Sequence, residues 1–515
     1  MGYLYVYDPW PTAVDTMGLC GPLTPTKATC IQEKNGDFSL EIKHPIDAAG
    51  KWAFLVNGNI VKANVPMRTT PVIRNNGTGS ASYYVETGRY TVKSAATRAD
   101  RSIFATTDEL PNVVQPIRLA VLDPGTSVYP IYTAPEPYNV NWKHVVWAGG
   151  RGWIKTSAIE LVQAVTFSAA RAATEQIIPS PSTRPQLFRI YAVSVSDSGV
   201  TAKARHVSYD LSGVMSTTAA GEINFSTAAT SAFSNTTMLT PYVRSEWFEN
   251  TAYGSTRDYP ALTRVGTIEA VMAPSNSLVG VWPVTLLRDN WIFTFLTDAE
   301  YVSGMTIDYG KNLRGVTMDV DTTDIWDAIL PVGQTSKGKP LVVPFGTYTV
   351  DGQSITVTGY NTVVSPSNAY PVPHIGVMDM GSSVKATGTT SAALNAAYVK
   401  LIRAALSKFS DEKCDLPVVT LDVDFLHIGD TAEYAQYRDM GRLYLHDTVR
   451  VRHPRLGIDV TTQVNKTAWN CLVDRYDNIE LGSVRKNYAR SRLAGWQISG
   501  FASLQSYVDT ISNFI

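Results

Sequence analysis

The sequence predicts a mainly β, multidomain fold with helices as connectors, an α+β arrangement, on three observations. Short runs of alternating apolar and polar residues recur along the chain. Turn dipeptides such as Asn35-Gly36 and Asn57-Gly58 separate them. Only 17% of residues are charged, where about 25% is usual, while glycine (36), proline (28) and tyrosine (26) are plentiful. Wide, weakly charged surfaces of this kind suit protein neighbours. At roughly 100–200 residues per domain, 515 residues make three to five units.

The N-terminal run places Tyr3, Tyr5 and Tyr7 on one face and Leu4 and Val6 on the other, which predicts a strand buried on both sides or one at an interface. ATCIQEKNG and DFSLEIKHP form a hairpin, and Asn35-Gly36 predicts a tight primed turn between them because Asn-Gly tolerates positive φ. Asn57-Gly58 turns the chain into IVKANV. SYYVETGRYTV turns at Thr87-Gly88. Trp142, Trp147 and Trp153 flank a Gly-Gly turn and read as core or subunit-contact residues. A hairpin is predicted around Asp197-Ser198-Gly199, and residues 215–265 read as loops with short helical pieces. Two helices are predicted late in the chain. One is TTSAALNAAYVKLIRAALSKF, with Leu394, Tyr398, Leu401 and Ala405 at helical spacing; the other is AWNCLVDRYDNI, with Trp469, Leu472 and Tyr476 on one stripe. Thr431 before Glu433, Tyr434 and Tyr437 predicts a short capped helix. GRLYLHDTVRVRH and LGIDVTTQV alternate as partner strands.

The chemistry-bearing motifs are few. HExxH, a Walker loop, GxSxG and CxxC are absent from the sequence. Asp422, Asp424, His427 and Asp430 in LDVDFLHIGD offer oxygens to a hard cation, but an octahedral set is incomplete, so no metal is expected there. Cys414 with His427 is the one Cys-His combination considered for hydrolysis, and the structural reading is preferred. Cys20 and Cys30 could pair, but their spacing is not diagnostic and four cysteines make no disulfide framework, so assembly in a reducing cytoplasm is the simpler reading. A formal net charge of −1 and the lack of a basic tract give no support for nucleic-acid binding. No run approaches 18 apolar residues, so no stable membrane insertion is expected. MGYLYVYDPWP has no signal-peptide pattern, which suggests assembly in the host cytoplasm and release by lysis.

Several strings occur in a telling order: CIQEKNGDFSLEIKHPID, NIVKANVP, GGRGWIKTSAIE, QLFRIYAVSVSDSGVTAKARHVSYDL, RDNWIFTF, IDYGKNLRG, TAEYAQYRDMGRLYLHDTVRVRHPRLGIDV and CLVDRYDNIELG. In this order the chain resembles the tail-associated structural protein family of phages and prophages of Gram-positive hosts. Its N-terminal region is similar to the baseplate hub protein of contractile phage tails. The resemblance implies a homotrimeric hub with two β-barrel-like, ring-forming domains. It also implies a virion structural role at the tail tip of a phage or a phage-tail-like bacteriocin, joining the tail tube protein and the distal tail or baseplate ring to a spike protein. Asn35, Gly36, Tyr209, Asp210, Tyr309, Gly310, Lys311 and Asn312 would be turns and strand ends.

The domain expectation is a first hub domain over residues 1–180, a second over 181–365, an α/β segment over 366–485 and a C-terminal docking tail over 486–515. In that tail Leu504, Tyr507, Ile511 and Ile515 share a helical stripe, with Val508 beside it. No enzyme, catalytic residue, cofactor or metal is expected. The chain stops about 30 residues after the last matching string, too few for a cell-wall-cleaving module. A tail-associated peptidoglycan hydrolase or a carbohydrate-binding tail module is the alternative.

Overall fold

A computed structural model describes residues 2–67, 88–105, 116–130, 141–164, 183–233, 256–297, 301–366, 372–425 and 442–482, apart from isolated positions within these spans. The fold is mostly β-sheet with few helices. Its largest sheet holds twelve strands drawn from both ends of the chain. Strand Tyr5–Tyr7 forms one edge, followed by Ile60–Val65, Arg184–Ser196, Gly199–His206, Phe38–His44 and Lys27–Glu33. Ile458–Asn470, Arg475–Gly482, Val418–Phe425 and Leu313–Asp321 then continue the sheet, and Asp447–His453, paired with Ile458–Asn470 and Tyr301–Asp308, branches from it. The join lies where Cys30 faces Trp469.

Alternation explains this sheet. Phe38, Leu40 and Ile42 point inward with Phe188, Ile190, Ala202 and Ala204, while Glu41, Lys43, Lys203 and Arg205 point outward. Each large side chain buried in this way contributes about 1.5–3 kcal/mol. The edge strand is covered, because Leu19 N–H donates to Val6 (2.7 Å) and Leu23 N–H to Leu4 (2.9 Å), which blocks stray pairing.

The expected boundary at 180/181 is crossed by this sheet. Arg184–Ser196 pairs with Ile60–Val65, and Gly199–His206 with Phe38–His44. Residues 88–164 contribute a separate seven-stranded sheet, with Trp142, Trp147 and Trp153 buried in it. The expected boundary at 365/366 cuts a six-stranded sheet, in which Ile375–Asp379 runs parallel to Ala328–Gln334. Helix Ser391–Ser407 covers that sheet through Ala397, Leu401, Ile402 and Ala405. Thr390 caps the helix by accepting from Ala393 N–H. Among the described residues every sheet is open, so the implied closed barrels are not present there.

One predicted helix is a hairpin. Ala468, Trp469 and Asn470 end strand Ile458–Asn470, and Tyr476 begins its return in Arg475–Gly482. Asp474 takes a left-handed φ of 55° at the turn. Pairing of Trp469 with Cys30 on one side and Tyr476 on the other outweighs the local helical spacing. All four cysteines are free thiols.

Candidate functional site

The six-stranded unit is inserted between two neighbours of the large sheet, since Asp321 faces Val418 at its base. Its polar residues converge where strand Ala328–Gln334 begins. Trp326 N–H donates to the Cys414 carbonyl (2.7 Å), and the Cys414 thiol points back at the Trp326 carbonyl (3.6 Å). The next residue, Asp327, is buried, with 1% exposure. Its Oδ1 accepts from the His374 backbone N–H (2.5 Å) and lies 3.7 Å from His374 Nδ1. Its carbonyl accepts from Ser365 N–H (2.8 Å). Ser365 Oγ donates to Asp415 Oδ2 (2.6 Å), and both residues are buried.

Local sequence explains the convergence. Pro373 fixes its own φ and delivers His374 at the mouth of strand Ile375–Asp379, whose parallel pairing sets Ile375 against Ala328. Gly376 lets the Trp326 ring approach, since a Cβ there would lie 1.9 Å from Trp326 Cδ2. Lys408 Nζ stands 5.3 Å from the centre of the same ring. The His374 side chain is 46% exposed, and Asp327 holds this residue through its backbone N–H while its ring stands 3.7 Å from the carboxylate. A thiol, an imidazole near a carboxylate and a hydroxyl–carboxylate pair lie within one fold unit, residue types that nucleophilic acyl transfer can use. Ser365 Oγ and the Cys414 thiol each point at a protein acceptor, Asp415 Oδ2 and the Trp326 carbonyl. Cys30 and Cys471 are unsuited, because burial pushes both thiols well up.

The residues singled out in the sequence lie elsewhere. Asn35 and Gly36 are buried at a hairpin tip. Asn35 Nδ2 donates to the Val284 carbonyl (2.9 Å) and its Oδ1 accepts from Leu286 N–H (2.7 Å). The expected primed turn is not formed: Asn35 has φ 50°, but Gly36 is outside the left-handed region. Contact with strand Val284–Asp289 sets the loop instead. The Gly36 carbonyl accepts from Tyr209 Oη (3.0 Å) and Arg288 (2.6 Å). Asp210 holds Arg189 through two bonds of 2.7 Å. Tyr309, Gly310, Lys311 and Asn312 turn the chain between strands Tyr301–Asp308 and Leu313–Asp321. There Asn312 Oδ1 accepts from Asp308 N–H (2.8 Å), and Tyr309 packs on His453. Asp422 is exposed, facing Thr317 and Glu480. His427, Asp430, the segment around Thr431, and Leu504, Tyr507, Val508, Ile511 and Ile515 lie outside the described residues. A cleft lined by Gln32, Glu33, Met67, Arg288 and Tyr444 presents no serine, threonine, cysteine or histidine. No metal-binding cluster occurs among the described residues, and no described helix is long and apolar enough to cross a membrane.

His374, Asp327, Ser365 and Asp415 were not singled out in the sequence. Their only signal is the pairing of residues 328–332 with 375–379, which no local spacing carries.

Residues 302–491, less than half of the chain, match a family model described as prophage endopeptidase tail. No curated protein matches. Three solved structures are similar at low identity. The prophage tail protein gp18 of Listeria monocytogenes EGD-e has 12% identity and a TM-score of 0.42, covering 99% of this chain and 98% of that one. The 43 kDa tail protein of prophage MuSo2 from Shewanella oneidensis has 8% identity and a TM-score of 0.40, covering 94% and 98%. A tail protein from Neisseria meningitidis MC58 has 10% identity and a TM-score of 0.36, covering 68% and 90%. The family match overturns the expectation of a non-enzymatic hub adaptor: an endopeptidase model points to a hydrolase, the reading held second on sequence alone.

Proposed function

We propose that this chain is a phage-tail component that hydrolyses peptide bonds of the bacterial cell wall, with Cys414 as nucleophile, His374 as general base and Asp327 as its positioning partner. The observation that carries this reading is that the endopeptidase match, residues 302–491, encloses the whole cluster of Asp327, Ser365, His374, Cys414 and Asp415. His374 takes the thiol proton as sulfur attacks the carbonyl carbon, and returns it to the departing amine. Water then cleaves the thioester, releasing a carboxylate and restoring the thiol. Asp327 stabilises the transient imidazolium. Ser365 and Asp415 brace the segment that carries Cys414. Neighbouring strings that resemble tail proteins support a place at the tail tip, as a homotrimer beside tube, ring and spike proteins.

The test is digestion of purified peptidoglycan by the full chain, with new amino termini counted. Cys414→Ala and His374→Ala are expected to lower the rate at least 100-fold, the scale of general-base and nucleophile losses. Equal release by wild type and both variants refutes the assignment, as does no release by the wild type.

A further inference from the structure

The outer face of the large sheet carries a row of cations that the proposed hydrolysis does not use. Lys27 and Lys43 are direct cross-strand partners. Lys203 faces Glu41, one residue pair further on, and Arg205 follows two residues along the same strand. All four are exposed. From strand spacing and rise, the row is roughly 20 Å long on a flat surface. Two acids stand near it. Glu41 bonds Lys27 at 3.0 Å, and Asp37 is occupied by Ser39 Oγ (2.6 Å). Among the described residues, Lys43, Lys203 and Arg205 have no carboxylate within ion-pair distance. The hydrogen bond from Lys27, with Lys43 and Lys203 nearby, holds the Glu41 carboxyl below its usual range.

Like charges set this close, within a Debye length, repel one another, and the sheet fixes the spacing of the backbone positions that carry them. The row continues into aromatic surface. The Arg205 guanidinium lies 4.8 Å over the ring of Tyr191, which is 48% exposed. Its cross-strand partner Arg189, neutralised by Asp210, lies 4.8 Å over Trp10, which is 56% exposed. Cations in file on a flat face, with hydroxyls of Thr201 and Ser39 between them, suit an extended chain of negative charges more than a compact anion, which would need a concave site.

We propose that this face, centred on Lys43, Lys203 and Arg205, binds a linear polyanion, a polymer bearing phosphate or carboxylate groups. Three or four contacts, each releasing about 0.7 of a counterion, make affinity fall roughly 20- to 50-fold between 50 and 200 mM salt.

The experiment uses the full chain with labelled linear polyphosphate and, separately, poly-glutamate, read by fluorescence anisotropy. Binding at low salt with that salt dependence is expected. The triple variant Lys43→Gln/Lys203→Gln/Arg205→Gln should weaken it at least tenfold, and Lys43→Gln alone should weaken it partly. Lys337→Gln, at an exposed turn of the inserted unit, should leave it unchanged. Tighter binding of polyphosphate assigns a phosphate polymer, and tighter binding of poly-glutamate a carboxylate polymer; either supports the proposal. Absence of binding to both probes at low salt overturns it. So does equal binding by the triple variant and the wild type.

Discussion

Asn35→Ala tests how the two ends of the molecule's first core are joined. Asn35 is 2% exposed, and its side-chain amide makes two bonds to the backbone of strand Val284–Asp289, at 2.9 and 2.7 Å. Alanine removes both and leaves a buried carbonyl and a buried N–H without a partner, at about 1–3 kcal/mol each. The left-handed φ of 50° adds about 1 kcal/mol for a residue with a Cβ and no local hydrogen bond. The expected destabilisation is roughly 3–7 kcal/mol. Asn35→Gly keeps the backbone conformation and should cost about 1 kcal/mol less, isolating the hydrogen-bond contribution. Urea unfolding followed by tryptophan emission measures the totals. Hydrogen exchange at the Leu286 amide reports the lost bond directly. An Asn35→Ala variant within about 0.5 kcal/mol of wild type, with Leu286 still protected, would refute the anchoring role.

Other outcomes follow from single contacts. His206 is fully buried, stacked 4.2 Å from Phe38, and burial with nearby Arg288 depresses its pKa well below the usual value. The unfolded chain therefore takes up a proton below about pH 6.5 that the folded chain refuses, so stability is full above that pH and falls by up to about 1.4 kcal/mol per unit as pH drops. A pH series of urea midpoints should show this slope, reduced in His206→Gln. Gly376→Ala would drive a methyl group into the Trp326 ring; about 1–3 kcal/mol of overpacking is expected, with hydrolysis impaired although every reacting group is retained. Asp351→Asn breaks an Arg403 pair whose side chains are 63% and 49% exposed, and its melting temperature should match wild type because water and salt screen such pairs.

Elements whose cause is local were legible in the sequence. The spacing of Leu394, Leu401 and Ala405 found the helix Ser391–Ser407, and Asp197-Ser198 found the hairpin that joins Ser196 to Gly199. The same spacing misled at Trp469 and Tyr476. Seven residues apart, they are neighbours on a helix, but they are also neighbours across a short hairpin, where their rings stand 4.8 Å apart. Asn35-Gly36 announced a turn correctly in place, but its conformation answers to strand Val284–Asp289, some 250 residues away. The candidate site was the least legible part. Cys414 was noticed and set beside His427, while the histidine its unit supplies is His374, brought in by parallel pairing of strands 40 residues apart. Parallel neighbours require a crossover, and a crossover leaves no spacing to read.

Whether Cys414 and His374 cleave peptide bonds can be read from isotope incorporation. Purified cell wall is incubated with the full chain in water enriched in oxygen-18, and the released peptides are weighed by mass spectrometry. Cysteine-dependent hydrolysis gives new carboxyl termini carrying one heavy oxygen at a single kind of peptide linkage, abolished by Cys414→Ala. Unlabelled fragments, no fragments, or the same labelled fragments from Cys414→Ala would contradict it.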